Sequence, residues 1–397
     1  MVLFVRGQGR PCGDKQNRGH LWKPRVAKAK AATHSFNMKI KNVFDEIFSM
    51  ENLSHALADA SAGRKYNRDV LIFNFDDWTN LKELREEIYS GTYGIEAYYI
   101  FYVYEPKKRM IMSIAFRHRV VQWAIYRIIN PIFVKGYIKD SYGCIDGRGS
   151  VRAMKRLKYW LTDVSRGSGD WYYLKLDISK YFYRISHRVL KEILRKKIKD
   201  ERLIALLDKI IDCPHTPFGL PPGKSPGEVE PEDMLYDVGM PIGNLLSQVF
   251  ANLYLDALDQ YAKRTLAIKY YIRYMDDVII LCDSKEQLRR WKDLIEEFLL
   301  SELELQLNNK TCIRPINQGI EFVGYRIWKD RSVLRKSTSL KIKRSLKGIM
   351  KKYEEGEIDL HGAFQSLASY LGMMEHCDSE GLETKILKEF HLQRKSA

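Results

Sequence analysis

The stretch YYIRYMDDVIIL, residues 270–281, sets two adjacent carboxylates, Asp276 and Asp277, inside an apolar and β-branched run. Tyr270, Tyr271 and Ile272 on one side and Val278 to Leu281 on the other read as two short strands. Met275 and Asp276 then fall where a tight hairpin turns. Ionised carboxylates are costly to bury unless something compensates them. A lone pair of this kind is most simply an ordinary turn aspartate beside a satisfied neighbour, so the rest of the chain decides its meaning.

Working outward, "YYLKLD" reads as a buried strand that ends on Asp177, 99 residues before Asp276. Three aspartates at the ends or turns of central strands suit two-metal phosphoryl transfer, in which hard oxygen ligands hold two divalent ions. Those ions would supply the missing compensation, and an apolar hairpin would hold the carboxylates rigid for them.

Composition points the same way. The 397 residues carry 66 Lys and Arg against 50 Asp and Glu, a net charge of +16, which suggests a polyanionic partner such as nucleic acid. The six cysteines are scattered with no CxxC pair, and Cys213-Pro214-His215 is too little for a metal site. Reduced thiols in a cytoplasmic protein follow. No apolar run approaches a membrane span, and the first residues do not form a signal peptide.

Residues 1–37 are basic, Gly-rich and without apolar periodicity, and read as a disordered arm. That arm either touches nucleic acid or reflects an over-long gene start ahead of Met38. Helical patterning begins at Met38. Residues 95–104 and 109–116 read as a hairpin, followed by an amphipathic helix. Residues 213–238, rich in Pro, Gly and acids, read as a long loop that is a lid, an insertion or a mobile segment. Residues 244–263 read as a strong helix with Leu246, Val249, Phe250, Leu253, Ala257 and Tyr261 on one face. A charged helix is expected over about 284–304, then a strand pair near "TCIRPI" and "IEFVGYRIW". The tail from Arg335 starts with eight basic residues and no acid in "RKSTSLKIKRSLKGIMKKY". There Ile342, Leu346, Ile349 and Tyr353 make an apolar helical face, and Lys343, Lys347 and Lys351 a basic one.

YMDD in an apolar hairpin resembles the hallmark of reverse transcriptases, and the resemblance runs in order from about residue 39 to 392. "YEPKKRMIMSIAFRHRVVQWAI" looks like the fingers segment and "DSYGCIDGRGSVRAM" like the template-contacting block after it. "LKLDISKYFYRI" is similar to the palm motif that bears the first metal aspartate. "ELQLNNKT" resembles the motif whose lysine faces pyrophosphate, and "IEFVGYRIW" the primer grip. Where the wider family reads PQG and SP, this chain has Pro241-Ile242-Gly243 and Ser247-Gln248. That IGN…SQ signature resembles the reverse transcriptases of bacterial diversity-generating retroelements, which copy a template RNA with errors at adenines.

The resemblance implies an α+β right-hand polymerase: fingers over 38–170, a palm with a small antiparallel sheet over 171–328 and a helical thumb over 329–397. It implies two Mg2+ ions, with Mn2+ as a substitute, held by Asp177, Asp276 and Asp277 with the main-chain carbonyl of Ile178. Lys310 becomes the proton donor to pyrophosphate. Lys107 and Arg109 clamp the triphosphate, and Phe182 is the steric gate against a ribose 2′-hydroxyl. Ile242 and Gly243 line the incoming deoxynucleotide. Arg119, Arg148, Lys343, Lys347 and Lys351 contact the template or the RNA–DNA hybrid. The implied partners are an RNA template, dNTPs and a small basic accessory protein, with no membrane. Two alternatives stand beside this reading. One is an antiphage defence reverse transcriptase that uses a dedicated noncoding RNA. The other is a non-catalytic RNA-binding protein of maturase type, against which the intact aspartates argue.

Overall fold

The protein is described by a computed structural model over residues 39–96, 98–104 and 109–394. The basic arm inferred for residues 1–37, and Lys107, lie outside the described residues.

The chain opens with helices α1 (Phe44–Ile47), α2 (Met50–Ser61), α3 (Arg68–Phe75) and α4 (Asp77–Ser90). Their ends are set by side-chain caps. Ser49 Oγ accepts the Asn52 N–H at the start of α2, and Asp76 accepts the Thr79 N–H at the start of α4. Strands β1 (Tyr99–Val103) and β2 (Arg109–Ser113) pair antiparallel, as the pattern of residues 95–116 predicts. Helices α5 (Phe116–Gly136) and α6 (Ser150–Val164) follow.

The centre is a four-stranded antiparallel sheet in the order β4-β5-β3-β6. Its strands are β3 (Tyr172–Asp177), β4 (Tyr270–Tyr274), β5 (Asp277–Cys282) and β6 (Cys312–Pro315). Side chains alternate across it with the period of two that a pleated strand imposes. Leu174, Leu176, Tyr271, Val278 and Ile280 enter the larger core, shared with α5 and with α7 (His187–Lys197), α8 (Glu201–Asp212) and α9 (Leu245–Gln260). Tyr173, Tyr270, Ile272, Ile279 and Leu281 face the second core. Helix α6 lies on that side, as does a three-stranded sheet of β7 (Ile320–Phe322), β8 (Tyr325–Ile327) and β9 (Ser332–Leu334). Helix α10 (Lys285–Leu303) packs against β3, β5 and β6. The chain ends in α11 (Lys336–Glu354), α12 (Leu360–Met374) and α13 (Glu380–Glu389), whose Ile342, Leu346, Leu367, Met374 and Ile386 join the second core.

Three expectations change. "TCIRPI" and "IEFVGYRIW" do not pair with each other: β6 adds to β3, and β7 and β8 form their own hairpin. Helix α9 buries far more than one face, because α5, α7 and α10 all pack on it; Asn252, Asp256 and Asp259 are buried along with its apolar residues. Residues 213–238 are braced rather than loose. Gly219 and Leu235 exchange backbone hydrogen bonds of 2.9 Å, and Phe218, Leu220 and Met234 are buried. The loop's end is tied to the segment after β3 by His187 N–H to the Asp237 carbonyl (3.0 Å) and Met240 N–H to the Phe182 carbonyl (2.7 Å).

Candidate active site

The β4–β5 register pairs Tyr274 with Asp277, leaving Met275 and Asp276 as a two-residue hairpin loop. Such loops favour positive φ, and Met275 adopts φ +53°. A long side chain in the left-handed region needs support. Arg273 supplies it from below: its Nη1 donates to the Met275 carbonyl at 3.1 Å and to Asn252 Oδ1 at 3.2 Å. The same guanidinium forks onto Asp259 through Nε and Nη2, both at 2.7 Å, and Tyr271 donates to Asp259 at 2.7 Å. Both side chains of the Arg273–Asp259 pair are 0 % exposed. Burial works to discharge Arg273, but the Asp259 carboxylate outweighs it and keeps the guanidinium charged. Asn252 in turn donates to the Gly143 carbonyl at 2.6 Å. A Cβ on Gly143 would lie 2.6 Å from the Met275 nitrogen, so only glycine lets the hairpin dock there.

The three aspartates fall at neighbouring positions of the sheet. Asp177 is the direct antiparallel partner of Asp277, and Asp276 stands one residue before it in the turn. Lys175, two residues before Asp177 and on the same face, lies 3.0 Å from Asp277 Oδ1 and 3.1 Å from Oδ2. Only the Oδ2 contact has hydrogen-bond geometry; Oδ1 is buried without a hydrogen bond. Burial, helped by the charges of Asp276 and Asp177 and opposed by Lys175, pushes the Asp277 carboxyl up to about 6. Among the described residues no three His, Cys, Asp or Glu side chains converge to hold a metal by themselves. A closed cage is not what Mg2+ requires: it is commonly bound by one or two carboxylates together with substrate phosphates and water. The orphaned Asp277 Oδ1 and the hard oxygen donor set fit a divalent cation on these terms. The Lys175 ammonium compensates Asp277 in part.

The backbone beside Asp177 is held tightly. Asn308 N–H donates to the Asp177 carbonyl (2.7 Å), Asp177 N–H to Thr311 Oγ1 (3.3 Å), and Ile178 bridges to Leu307. Exposed Lys310 sits in that same 308–311 turn, so the structure brings it to the Asp177 strand end.

A second group of expected residues clusters around β2. The Ile242 carbonyl accepts the Met112 N–H (3.2 Å), and Asn244 Nδ2 donates to the Met112 carbonyl (3.4 Å). Ile242 and Gly243 are thereby docked on the strand that Arg109 opens. Gly243 has φ +108°, and a Cβ would stand 3.3 Å from Ile111, so glycine suits this approach of two backbones. Phe182 is half-buried, whereas Tyr181 is core, with its hydroxyl on the Ala251 carbonyl at 2.5 Å. Their rings meet edge to face at 5.6 Å.

The remaining expected residues are dispersed. Arg119 is half-buried on α5; burial and nearby Arg64 lower its pKa while Asp69 opposes them. Arg148 Nη1 is spent on the carbonyls of Ile138 (2.7 Å) and Ser141 (3.2 Å). Lys343 and Lys347 line a groove of about 330 Å³ between α11 and α13, with Leu346, Met350 and Phe390. Lys351 lies 3.6 Å from Glu355. Sequence reasoning missed Lys175, Arg273, Asp259 and Gly143. Arg273 carried a readable signal, a cation inside an apolar strand; the others carried none without the register.

An antiparallel sheet with aspartates at adjoining strand ends, flanked by a strand hairpin and helices on one side and by terminal helices on the other, is the right-hand polymerase fold. The chain belongs to the family described as "Reverse transcriptase (RNA-dependent DNA polymerase)", whose profile matches residues 105–327, more than half of its length. It is 29% identical to Protein YkfC of Escherichia coli strain K12 over 289 residues, 64% of this chain and 72% of that protein. It is 23% identical to the group II intron-encoded protein LtrA of Lactococcus lactis subsp. cremoris over 337 residues, 68% of this chain and 53% of LtrA. Among solved structures it is similar to apo telomerase from Candida tropicalis, with a TM-score of 0.45 and 14% identity over 66% of this chain and 52% of that one. The chain therefore spans about half the length of LtrA and of that telomerase.

Proposed function

We propose that this protein is an RNA-directed DNA polymerase that copies an RNA template into cDNA, with errors, within a diversity-generating retroelement. The observation that carries the polymerase reading is the register of Asp177 against Asp277, with Asp276 in the adjoining turn. Mg2+ bound there would stabilise charge on the attacking and leaving oxygens. Asp177 and Asp276, with the Ile178 carbonyl, are the residues to hold it, and Asp277 supports them while tethered to Lys175. Phe182, half-buried beside the core tyrosine, suits a gate against ribose. Lys310, on the turn anchored to Asp177, suits a donor to pyrophosphate. Lys107 and Arg109 would grip the triphosphate of the nucleotide that Ile242 and Gly243 line.

In this reading residues 38–170 are the fingers, 171–328 the palm and 329–397 the thumb, with Lys343, Lys347 and Lys351 on hybrid phosphates. A small basic accessory protein completes the assembly. The reading also assigns the protein to the cytoplasm, in keeping with five free cysteines among the described residues; no described helix is long and apolar enough to cross a membrane.

The mutagenic part rests on Ile242, an apolar side chain where the wider family carries an amide. A glutamine there can hydrogen-bond the incoming nucleotide; isoleucine offers only bulk. Right and wrong pairs then lose a shared constraint, and about 1.4 kcal/mol between them is tenfold in selectivity. The test is sequencing of cDNA made on a defined RNA. Ile242→Gln is expected to lower misincorporation, most strongly opposite adenine. Faithful copying of adenine by the wild type would remove the mutagenic role and leave the polymerase assignment standing.

A further inference from the structure

The chain leaves β3 at Asp177 and passes through Phe182 in a single 3-10 turn, Tyr181–Tyr183, before α7 begins at His187. One such turn satisfies few of its own backbone groups, and those that are buried must find partners elsewhere. The loop ahead of α9 supplies them from two plies. In the first, Leu220 N–H donates to the Tyr183 carbonyl (3.4 Å). In the second, Met240 N–H donates to the Phe182 carbonyl (2.7 Å) and Gly239 N–H to the Ile185 carbonyl (2.8 Å). Side chains return the grip. Arg184 Nη2 donates to the Pro221 carbonyl at 2.6 Å, and His187 Nε2 to the Gly239 carbonyl at 2.8 Å. The plies touch only because Gly239, at φ +92°, has no side chain: a Cβ there would lie 2.5 Å from the Phe218 carbonyl.

The second ply runs on from Met240 through Pro241 to Ile242, whose own carbonyl accepts the Met112 N–H at 3.2 Å. Met240 therefore ties the backbone of Phe182 to the segment that carries Ile242, the two side chains read as lining one incoming nucleotide. A ribose differs from a deoxyribose by one oxygen, so a ring that excludes it has to be held to about 0.5 Å by its supporting contacts. Those contacts come from the strap, and half-buried Arg184 is the side chain that reaches from the gate segment to its first ply.

We propose that residues 218–240 form a strap that sets sugar discrimination by fixing Phe182 relative to Ile242, and that Arg184 is the positioning residue that pins it. The proposal rests on the reverse transcriptase reading and names what holds its gate in place.

The test is nucleotide binding to a complex of the protein, an RNA template and a fluorescent DNA primer with a dideoxy end. It is read as the affinity for dATP against ATP opposite a template uracil. The wild type, Arg184→Met, Arg184→Lys, Phe182→Ala and the double variant of Arg184→Met with Phe182→Ala are compared, and melting temperatures verify folding. Methionine cannot donate to the Pro221 carbonyl, whereas lysine can. Arg184→Gln, with its shorter side chain, takes the place of methionine if that variant does not fold. Arg184→Met is expected to cut the preference for dATP about three- to tenfold, the scale of one hydrogen bond, and Arg184→Lys to restore part of it. The double variant should lose no more preference than Phe182→Ala alone, since both changes act through one ring. An unchanged preference in Arg184→Met, an equal loss on both nucleotides, or additive losses in the double variant overturn the proposal. A wild type that shows the preference and the Arg184→Met loss, yet does not extend an unblocked primer, leaves the strap standing and refutes the polymerase reading. A wild type that extends the primer without preferring dATP overturns the strap and leaves the polymerase reading standing.

Discussion

Asp177 and Asp277 are direct partners across β3 and β5, so two carboxylates face the same side of the sheet at the ends of its central strands, with a third, Asp276, in the adjoining turn. Like charges gathered there repel, and Lys175 relieves only part of the burden. The raised pKa of Asp277 and the pairing with Lys175 have measurable consequences.

The first is a pH dependence of stability. Asp277 has its pKa raised from 3.8 to about 6, so the folded chain binds this proton more tightly than the unfolded chain. Between these values stability falls as pH rises; the penalty is fully present above about 6 and absent below about 4. Its upper bound is about 3 kcal/mol, discounted because 31% of the side chain is exposed. In metal-free buffer Asp277→Asn should therefore melt higher than the wild type at pH 7.5, with the gap closing towards pH 4. Mg2+ should raise the wild-type melting temperature at pH 7.5 by mass action, and do so less in Asp177→Asn. A gap that ignores pH contradicts the burial of Asp277.

The second concerns the support of the turn. Arg273→Lys keeps the charge but loses the fork onto Asp259 and the reach to the Met275 carbonyl. Removing one partner of a buried pair costs about 3–5 kcal/mol, and Asp259→Ala should show that loss in chemical denaturation. Arg273→Lys should lose less stability, yet need more divalent metal for half-maximal extension. Unchanged metal dependence would limit Arg273 to a structural role.

The gate is the third. Phe182→Ala should raise the ratio of ribonucleotide to deoxynucleotide incorporation, whereas Tyr181→Phe should cost stability through the lost bond to Ala251 and leave the ratio alone. The reverse pattern would move the gate to Tyr181.

Much of this was legible in the sequence, for physical reasons. The hairpin at 270–281 was readable because β-branched runs flank a two-residue turn, and Asp177 because it ends an apolar strand. What stayed hidden was register. Lys175 looks like any surface lysine until its strand is paired with β5, which puts it on Asp277. Asp259 reads as a solvated acid because one-face periodicity leaves it outside; the burial of α9 on several sides brings it to Arg273. The loop at 213–238 has the composition of a lid, an insertion or a mobile segment, and the pairing of Gly219 with Leu235 that braces it is hidden for the same reason, because it is not local.

One assay tests directly whether this chain makes DNA on an RNA template. A labelled DNA primer on a defined RNA template is incubated with dNTPs and Mg2+, using wild type, Asp177→Asn and Asp276→Asn, with template binding measured in parallel. Wild-type extension to the template end, lost in both variants while binding persists, is the expected result. Equal extension by Asp276→Asn, or none by a wild type that binds the duplex, would contradict the assignment.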